Sequence, residues 1–493
     1  MPDVLLAHSY FLKYDAKQTQ KMKPYPPLAT LYIASHLRSN GYSVALFDAM
    51  LSEGEHEFAS VLSEQQPRYV VLYEDNFNFL SKMCLTRMRE AACTISAMAH
   101  AAGAVVIASG SDVSDHPELY FSHGVHYAVL GEGDHTVLEL LRVLDRPTEN
   151  EETCNAEIES IKGLAYPTPQ GLHRTAKRPT EKNPNRFELP AWDLVDVGTY
   201  RAAWVQEHGY FSLNMVSTRG CPYHCNWCAK PIWGQHYAMR SPANVAEELV
   251  YLKRTLKPDH IWFADDIFGL RPQWVAEFGR EVAQRDAAIP FMIQSRADLM
   301  TDQAVAGLQQ AGCTEVWLGA ESGSQKILDA MDKGIRIDQL YSARARLKAA
   351  GIRACFFIQF GYPGETWDDI LQTIAMVRQN VPDNIGISVS YPLPGTRFHE
   401  MVKNQLGDKQ NWIDSNDLAM LFKGSYQSPF YRKLHQLLHA ELDAVLQQQI
   451  SLDLPTLWDE LHELERTCRN DEPTQLVKPY DIPVIPDLSK PWN

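Results

Sequence analysis

The chain has 493 residues, 45% hydrophobic and 22% charged, the composition of a folded globular protein too long for a single core. Asp plus Glu number 61 against 46 Lys plus Arg, a formal charge of −15, which argues against nucleic-acid binding. No apolar run approaches the ~18–20 residues of a membrane span. Met1-Pro2-Asp3-Val4-Leu5-Leu6-Ala7-His8 lacks the basic start and apolar length of a signal peptide, so a cytoplasmic protein is expected.

Residues 1–145 alternate short apolar runs with helical patterns. The runs are Val4–Ala7, Val44–Phe47, Tyr69–Tyr73, Ala104–Ala108 and Tyr127–Leu130; Leu28–Asn40 and Leu85–Ala102 read as helices between them. Continuous apolar strands alternating with helices predict a doubly wound, Rossmann-like parallel sheet. Ligands of such sheets sit beyond the strand C-termini. Those ends carry Ser9-Tyr10, Asp48-Ala49-Met50, Glu74-Asp75-Asn76, Ser109-Gly110-Ser111-Asp112 and Gly131-Glu132-Gly133. Residues 146–205, with Pro167, Pro169, Pro179, Pro184 and Pro190, read as a linker holding a small hairpin around Gly163–Tyr166 and Leu172–Thr175.

Residues 206–400 show six strand–helix repeats. Strands are expected at Phe211–Ser217, His260–Ala264, Phe291–Gln294, Glu315–Leu318, Ala354–Gln359 and Ile385–Ser390. This spacing fits a partial TIM-like (β/α)6 barrel, with chemistry at the C-terminal strand ends. The first strand runs into Cys221-Pro222-Tyr223-His224-Cys225-Asn226-Trp227-Cys228, three cysteines in eight residues. Thiolates hold 4Fe–4S clusters, and three of them leave one iron open. A structural zinc site wants four ligands, usually as two pairs. Here Cys84, Cys93, Cys154, Cys313, Cys355 and Cys468 are scattered singles, and His224 sits awkwardly inside the loop. Later strand ends carry Asp265-Asp266, Ser295-Arg296-Ala297-Asp298, Gly319-Ala320-Glu321-Ser322-Gly323-Ser324, Phe360-Gly361-Tyr362-Pro363-Gly364-Glu365-Thr366 and Tyr391-Pro392-Leu393-Pro394-Gly395-Thr396.

The cysteine spacing, the aromatic residue before the third cysteine and these strand-end strings resemble the radical S-adenosylmethionine (SAM) enzymes. There the open iron takes the amino and carboxylate groups of SAM, and one electron splits SAM into methionine and a deoxyadenosyl radical. The resemblance implies a 4Fe–4S cluster on Cys221, Cys225 and Cys228 and a SAM site built from the strand ends. Asp265 or Asp266 would accept from the ammonium, Glu321 and Ser322 would meet the ribose, and Arg296 would fork onto the carboxylate. Gly361, Tyr362, Pro363, Tyr391 and Leu393 would frame adenine, with Trp227 packed nearby. Plainer roles exist for the same residues: Asp265-Asp266 as a helix cap, Gly361–Glu365 as a β-to-α turn, and Arg296 paired with Asp298.

Pro24-Tyr25-Pro26-Pro27-Leu28 before the first helix, and Gly124–Gly133 closing the last strand of residues 1–145, resemble the cobalamin-binding domain that precedes many radical SAM cores. The implied contacts are Tyr10, Glu74, Asn76, Ser109, Gly110, Ser111, Gly131 and Glu132. The D-x-H-x-x-G loop that ligates cobalt from below is absent, and Asp115-His116 and Asp134-His135 have the wrong spacing. No lower histidine can be assigned. A Rossmann-like domain that binds a nucleotide or nothing is the alternative.

Residues 401–493 read as a helical C-terminal domain, clearest at Phe430–Gln449 and Leu457–Arg466, with a proline-rich tail at Lys478–Asn493. His435 and His439, one turn apart, read as packing or cavity lining rather than a metal pair. As a whole, the chain resembles a cobalamin-dependent radical SAM methyltransferase acting on an unactivated carbon of a small molecule. That resemblance implies methylcobalamin as methyl donor and a reductant such as flavodoxin or ferredoxin. The rival readings are a radical SAM oxidative cyclase or ring-rearranging enzyme of the tetrapyrrole-cyclase kind, without methyl transfer, and a non-catalytic iron–sulfur or zinc protein. No residue names the substrate.

Overall fold

The computed structural model describes residues 2–83, 85–146, 151–228, 232–447 and 453–476; Cys84 and the tail Lys478–Asn493 lie outside them. The first sheet contains β1 (Val4–Ala7), β2 (Val44–Phe47), β3 (Tyr69–Tyr73), β4 (Val105–Ser109) and β5 (Tyr127–Val129), all parallel, in the order β2-β1-β3-β4-β5. Side chains alternate between two cores. Val4, Leu6 and Val71 pack with the helices Leu28–Ser39 and Asp134–Leu144. Leu5, Ala7, Val70 and Leu72 pack with Glu55–Gln65 and Thr86–Ala101. Burial on both faces is why these strands read as unbroken apolar runs. Each fully buried Leu or Val contributes about 1.5–3 kcal/mol.

The order reverses between β1 and β3, the crevice where doubly wound sheets take ligands. The hairpin foreseen in the linker is β6 (Leu164–Thr168) and β7 (Gly171–Arg174). It pairs antiparallel with β5 and carries the sheet on to Arg174. Sequence period alone does not reveal which edge a hairpin joins.

β8 (Ser212–Met215) leads into an antiparallel ribbon of β9 (Thr218–Gly220) and β10 (Tyr237–Met239), which brackets the cysteine loop. With β11 (His260–Phe263), β12 (Phe291–Ser295), β13 (Cys313–Glu321), β14 (Arg353–Phe360) and β15 (Asn384–Val389), β8 forms a six-stranded all-parallel sheet in sequential order. This is the expected partial barrel. Its outer face is wholly buried under helices at Leu213, Ile261, Ile293, Val316 and Phe356. The ribbon was not foreseen, because its strands are three residues each and separated by the cysteine loop.

Two contacts fix the first sheet against the barrel. The Pro24–Pro27 segment docks on β8: Trp204 Nε1 donates to the Pro24 carbonyl at 2.6 Å and Asn214 Nδ2 to that of Pro26 at 3.0 Å. The segment around Asn411–Ser415 straps over the N-terminal half. There Asp15 accepts from Ser415 N and Oγ at 3.0 and 2.8 Å, and Thr86 N donates to the Trp412 carbonyl at 2.9 Å.

The C-terminal helices Ser428–Gln447 and Leu454–Thr467 pack on each other. The rings of His435 and His439 lie 4.5 Å apart. Burial first, then His439, Lys17 and Lys21, push His435 down to about 3, so its ring is neutral. Among the described residues no helix is long and apolar enough to cross a membrane.

Candidate functional site at the C-terminal edge of the barrel

The cysteine loop is held from within by Asn226. Its N–H donates to the Met331 carbonyl and its carbonyl accepts from Phe398 N, both at 3.0 Å. Its Nδ2 donates to the Ala330 carbonyl at 2.7 Å and its Oδ1 accepts from Tyr362 O–H at 2.8 Å. All four polar groups of one residue are therefore satisfied by two other strand-end segments and the helix Arg397–Val402. Trp227 packs against Ile327, Met331, Tyr362 and Phe398. Tyr223 stacks under the Arg296 guanidinium at 3.7 Å. These ties order the loop through side chains between and beside the cysteines, leaving Cys221, Cys225 and Cys228 half-buried.

Among the described residues, no three His, Cys, Asp or Glu side chains gather around a single ion position. The sulfurs are distributed along the loop. Three thiols in one loop are the donor type that holds a 4Fe–4S cluster, and three of them leave one iron to another ligand.

The expected SAM-facing residues separate into two groups. Trp227 belongs to the loop, and Arg296, Glu321 and Tyr362 lie beside it. Arg296 reaches Cys225 Sγ at 4.0 Å while pairing with Asp298 at 3.0 Å. Glu321 receives a hydrogen bond from buried Lys333 at 2.7 Å, and Lys333 lies 5.9 Å from the Trp227 ring. Glu321 holds a left-handed backbone (φ +58°), unusual for a non-glycine residue and of order 1–3 kcal/mol in cost. At Gly319 a Cβ would lie 2.5 Å from Lys333 Nζ and 2.7 Å from Glu321 Oε1, so a larger residue would displace the ends of that pair. Gly361 (φ +78°) lets the chain pass Met420, whose sulfur would sit 2.9 Å from a Cβ.

The second group is engaged in holding the fold. Asp265 is buried and accepts from Ser217 N (2.8 Å), Thr218 N (2.7 Å), Ser217 Oγ (2.6 Å) and Thr218 Oγ1 (2.9 Å). It fixes the turn from β8 to the ribbon. Burial outweighs these donors and moves its carboxyl up to about 6. Asp266 pairs with Lys82 of the N-terminal half. Ser322 Oγ lies 3.1 Å from Thr373 Oγ1 and accepts from Ser324 N at 3.1 Å. Tyr391 O–H donates to the Met83 carbonyl at 3.2 Å, and Leu393 is buried below it.

Glu365, the last acid of the Gly361–Glu365 string, is buried. Its Oε2 accepts from Gly361 N at 2.6 Å, and its Oε1 has no partner. Burial pushes its carboxyl up from 4.5 to about 8, so the neutral form dominates at pH 7. The folded state then binds a proton that the unfolded state releases. Stability from this group is complete below about pH 4.5 and is lost as pH rises towards 8. Glu365→Gln is expected to flatten the fall in melting temperature between pH 5 and pH 8; an unchanged slope contradicts the assignment.

At the edge of the first sheet, Glu74, Ser109 and Ser111 are buried, and Glu74 Oε1, Ser109 Oγ and Ser111 Oγ have no partner. Tyr10 O–H is likewise orphaned. The edge is tight: a Cβ on Gly110 would lie 2.9 Å from Glu74 Cγ, and one on Gly133 2.8 Å from Ser109 Oγ. Unsatisfied buried polar atoms cost about 1–3 kcal/mol each, so their concentration at a ligand crevice fits a bound polar group. Asn76 lines a small pocket with Tyr73, Phe77, Arg219 and Trp233, at the junction with the barrel. Glu132 is committed to that junction. Arg219, two residues before Cys221, pairs with Glu132 and, at 3.0 Å, with Asp134. All three are buried.

Asn226, Arg219, Lys333 and Lys82 were not picked out from the sequence. Their partners lie tens to more than a hundred positions away, and no local period marks them. Arg219's closeness to Cys221 was the only available signal.

Residues 215–377 match the family model described as Radical SAM superfamily. This part of the chain is a radical SAM domain. The chain is 26% identical over 394 residues to an uncharacterized methyltransferase of Pyrococcus horikoshii, covering 78% of itself and 81% of that protein. It is 26% identical over 404 residues to the anaerobic magnesium-protoporphyrin IX monomethyl ester cyclase of Rubrivivax gelatinosus, covering 79% and 68%. Its fold is similar to that of the radical SAM methyltransferase TsrM from Kitasatospora setae, solved with cobalamin and a [4Fe-4S] cluster bound (TM-score 0.66, 18% identity, 83% and 79% covered).

Proposed function

We propose that this radical SAM enzyme is a cobalamin-dependent methyltransferase that modifies an unactivated carbon of a small molecule. The observation that carries the reading is the buried Arg219–Glu132–Asp134 junction. It joins the strand leading into the cysteine loop to the end of the first sheet, where orphaned Glu74, Ser109 and Ser111 gather. Two ligand-ready edges thus meet across one interface. When bound, the cluster supplies the electron that cleaves SAM, and cobalamin supplies the methyl group.

The chain's own residues do the rest. Cys221, Cys225 and Cys228 hold the cluster, and Asn226 fixes the loop that carries them. Arg296 and the Glu321–Lys333 pair present charge where SAM's carboxylate and ribose would lie. Gly361, Tyr362 and Pro363 frame adenine; Tyr362 links that segment to the loop through Asn226. Tyr10, Glu74, Ser109, Gly110, Ser111 and Gly131 would hold cobalamin, which would supply the methyl group, and Asn76 faces the shared pocket. The reductant is of the flavodoxin or ferredoxin type, and the compartment is the cytoplasm.

The similarity to the Rubrivivax cyclase favours a second reading, radical cyclisation without methyl transfer. The two differ in products. Anaerobic turnover of the reconstituted chain with SAM, dithionite and added cobalamin is expected to yield both deoxyadenosine and S-adenosylhomocysteine. Deoxyadenosine alone would favour the cyclase.

A further inference from the structure

The inner face of the barrel has a use that the cofactors do not account for. Register pairs Gln294 with Trp317, Phe357 with Gly386, and Gln359 with Ser388, which places these side chains together on the face opposite the buried helix-covered one. Outward positions are buried, whereas Gln294, Trp317, Phe357 and Ser388 stay half-buried. Along the strands the face is graded. Trp317 and Phe357 stack at 4.7 Å and 27° to form an aromatic wall, and Gly386 lets that wall lie close against β15, where a Cβ would be 3.1 Å from the Phe357 ring. Above it, towards the cysteine loop, come Gln359 and, two residues past Ser388, Ser390. Gln359 is 4% exposed and Ser390 0%, yet Gln359 Oε1 and Ser390 Oγ have no partner.

Charge is already neutralised here. Glu315 accepts from Trp317 Nε1 at 2.6 Å and pairs with Arg353 at 3.2 Å; Glu321 pairs with Lys333 at 2.7 Å. A charged ligand reaching the buried Glu321–Lys333 pair would have to break it, which is costly, whereas Arg353 is half-exposed and already occupies Glu315. An unpartnered buried acceptor asks instead for an N–H or O–H donor, and an aromatic wall for a planar apolar body.

We propose that Trp317, Phe357, Gln359, Ser388 and Ser390 form the substrate subsite, taking an uncharged, planar-ring molecule that gives a hydrogen bond to Gln359 Oε1. This rests on the radical SAM reading, because Gln359 and Ser390 lie at the C-terminal strand ends, the end of the sheet that carries the cysteine loop. The test uses the full chain with its cluster reconstituted and three probes: 2-naphthol, naphthalene and 2-naphthoate. Titration calorimetry is expected to show 2-naphthol binding about tenfold more tightly than naphthalene, the size of one buried hydrogen bond, with 2-naphthoate weakest. Gln359→Leu is expected to erase the naphthol–naphthalene difference, and Ser388→Ala, a smaller change on the same face, to reduce binding of 2-naphthol. Gln436→Leu, on the exposed side of a C-terminal helix, should change nothing. Equal affinity for 2-naphthol and naphthalene, an unaltered difference in Gln359→Leu, or no saturable binding overturns the proposal. Cluster absorbance and reductive SAM cleavage, measured on the wild-type sample, report separately on the radical SAM reading.

Discussion

Replacing Cys221, Cys225 and Cys228 together by Ala is expected to give a folded protein that holds no cluster and cleaves no SAM. The fold survives because the loop is tied down by other groups: Asn226 on Met331, Ala330, Phe398 and Tyr362, and Tyr223 under Arg296. Cys313→Ala and Cys355→Ala serve as controls. Both thiols are buried in strands, and desolvation pushes their pKa up, away from the thiolate form that a metal needs. Iron and sulfide content, the cluster absorbance and deoxyadenosine yield measure the outcome. A cluster retained in the triple variant, or lost in Cys313→Ala, refutes the ligand set.

Arg219→Met is expected to destabilise the chain by about 3–5 kcal/mol, because it leaves two buried carboxylates facing no cation. Glu132 and Asp134 are 5% and 3% exposed. The guanidinium also lies 3.7 Å from the Phe187 ring centroid, so methionine keeps some apolar contact while losing the charge. Combining Arg219→Met with Glu132→Gln and Asp134→Asn is expected to recover much of that loss. Denaturant unfolding of the three proteins distinguishes an ion-pair effect, which the triple variant relieves, from a packing effect, which it does not.

The legible part of this molecule was the part written in local patterns. Val4–Ala7, Val44–Phe47 and Tyr69–Tyr73 match β1, β2 and β3 residue for residue: β1 and β3 are buried on both faces and apolar throughout, and the edge strand β2 is an apolar run although only Phe47 is fully buried. The six barrel strands were found within a few residues, since their outward positions are apolar and buried under helices. The ribbon β9–β10 was not, since each strand is three residues long and its partner lies across the cysteine loop. Among the site residues, glycines and cysteines could be read because their chemistry is local. Asp265 could not be placed, since whether a buried carboxylate faces a ligand or a turn depends on which backbone N–H groups the fold brings near; here Ser217 and Thr218 claim it. Lys82 and Asp266 meet across 184 positions, and no sequence window holds both.

A cluster and cobalamin presented to each other across the Arg219 junction would sense each other magnetically. The most direct test is electron paramagnetic resonance of the full chain loaded with both, the cobalt in its cobalt(II) form. The expected result is a cobalt signal without nitrogen splitting from a protein histidine, broadened when the cluster is reduced to its paramagnetic state and restored in the Cys221→Ala, Cys225→Ala, Cys228→Ala protein. A cobalt signal indifferent to cluster reduction, or no cobalamin retained at all, would contradict it.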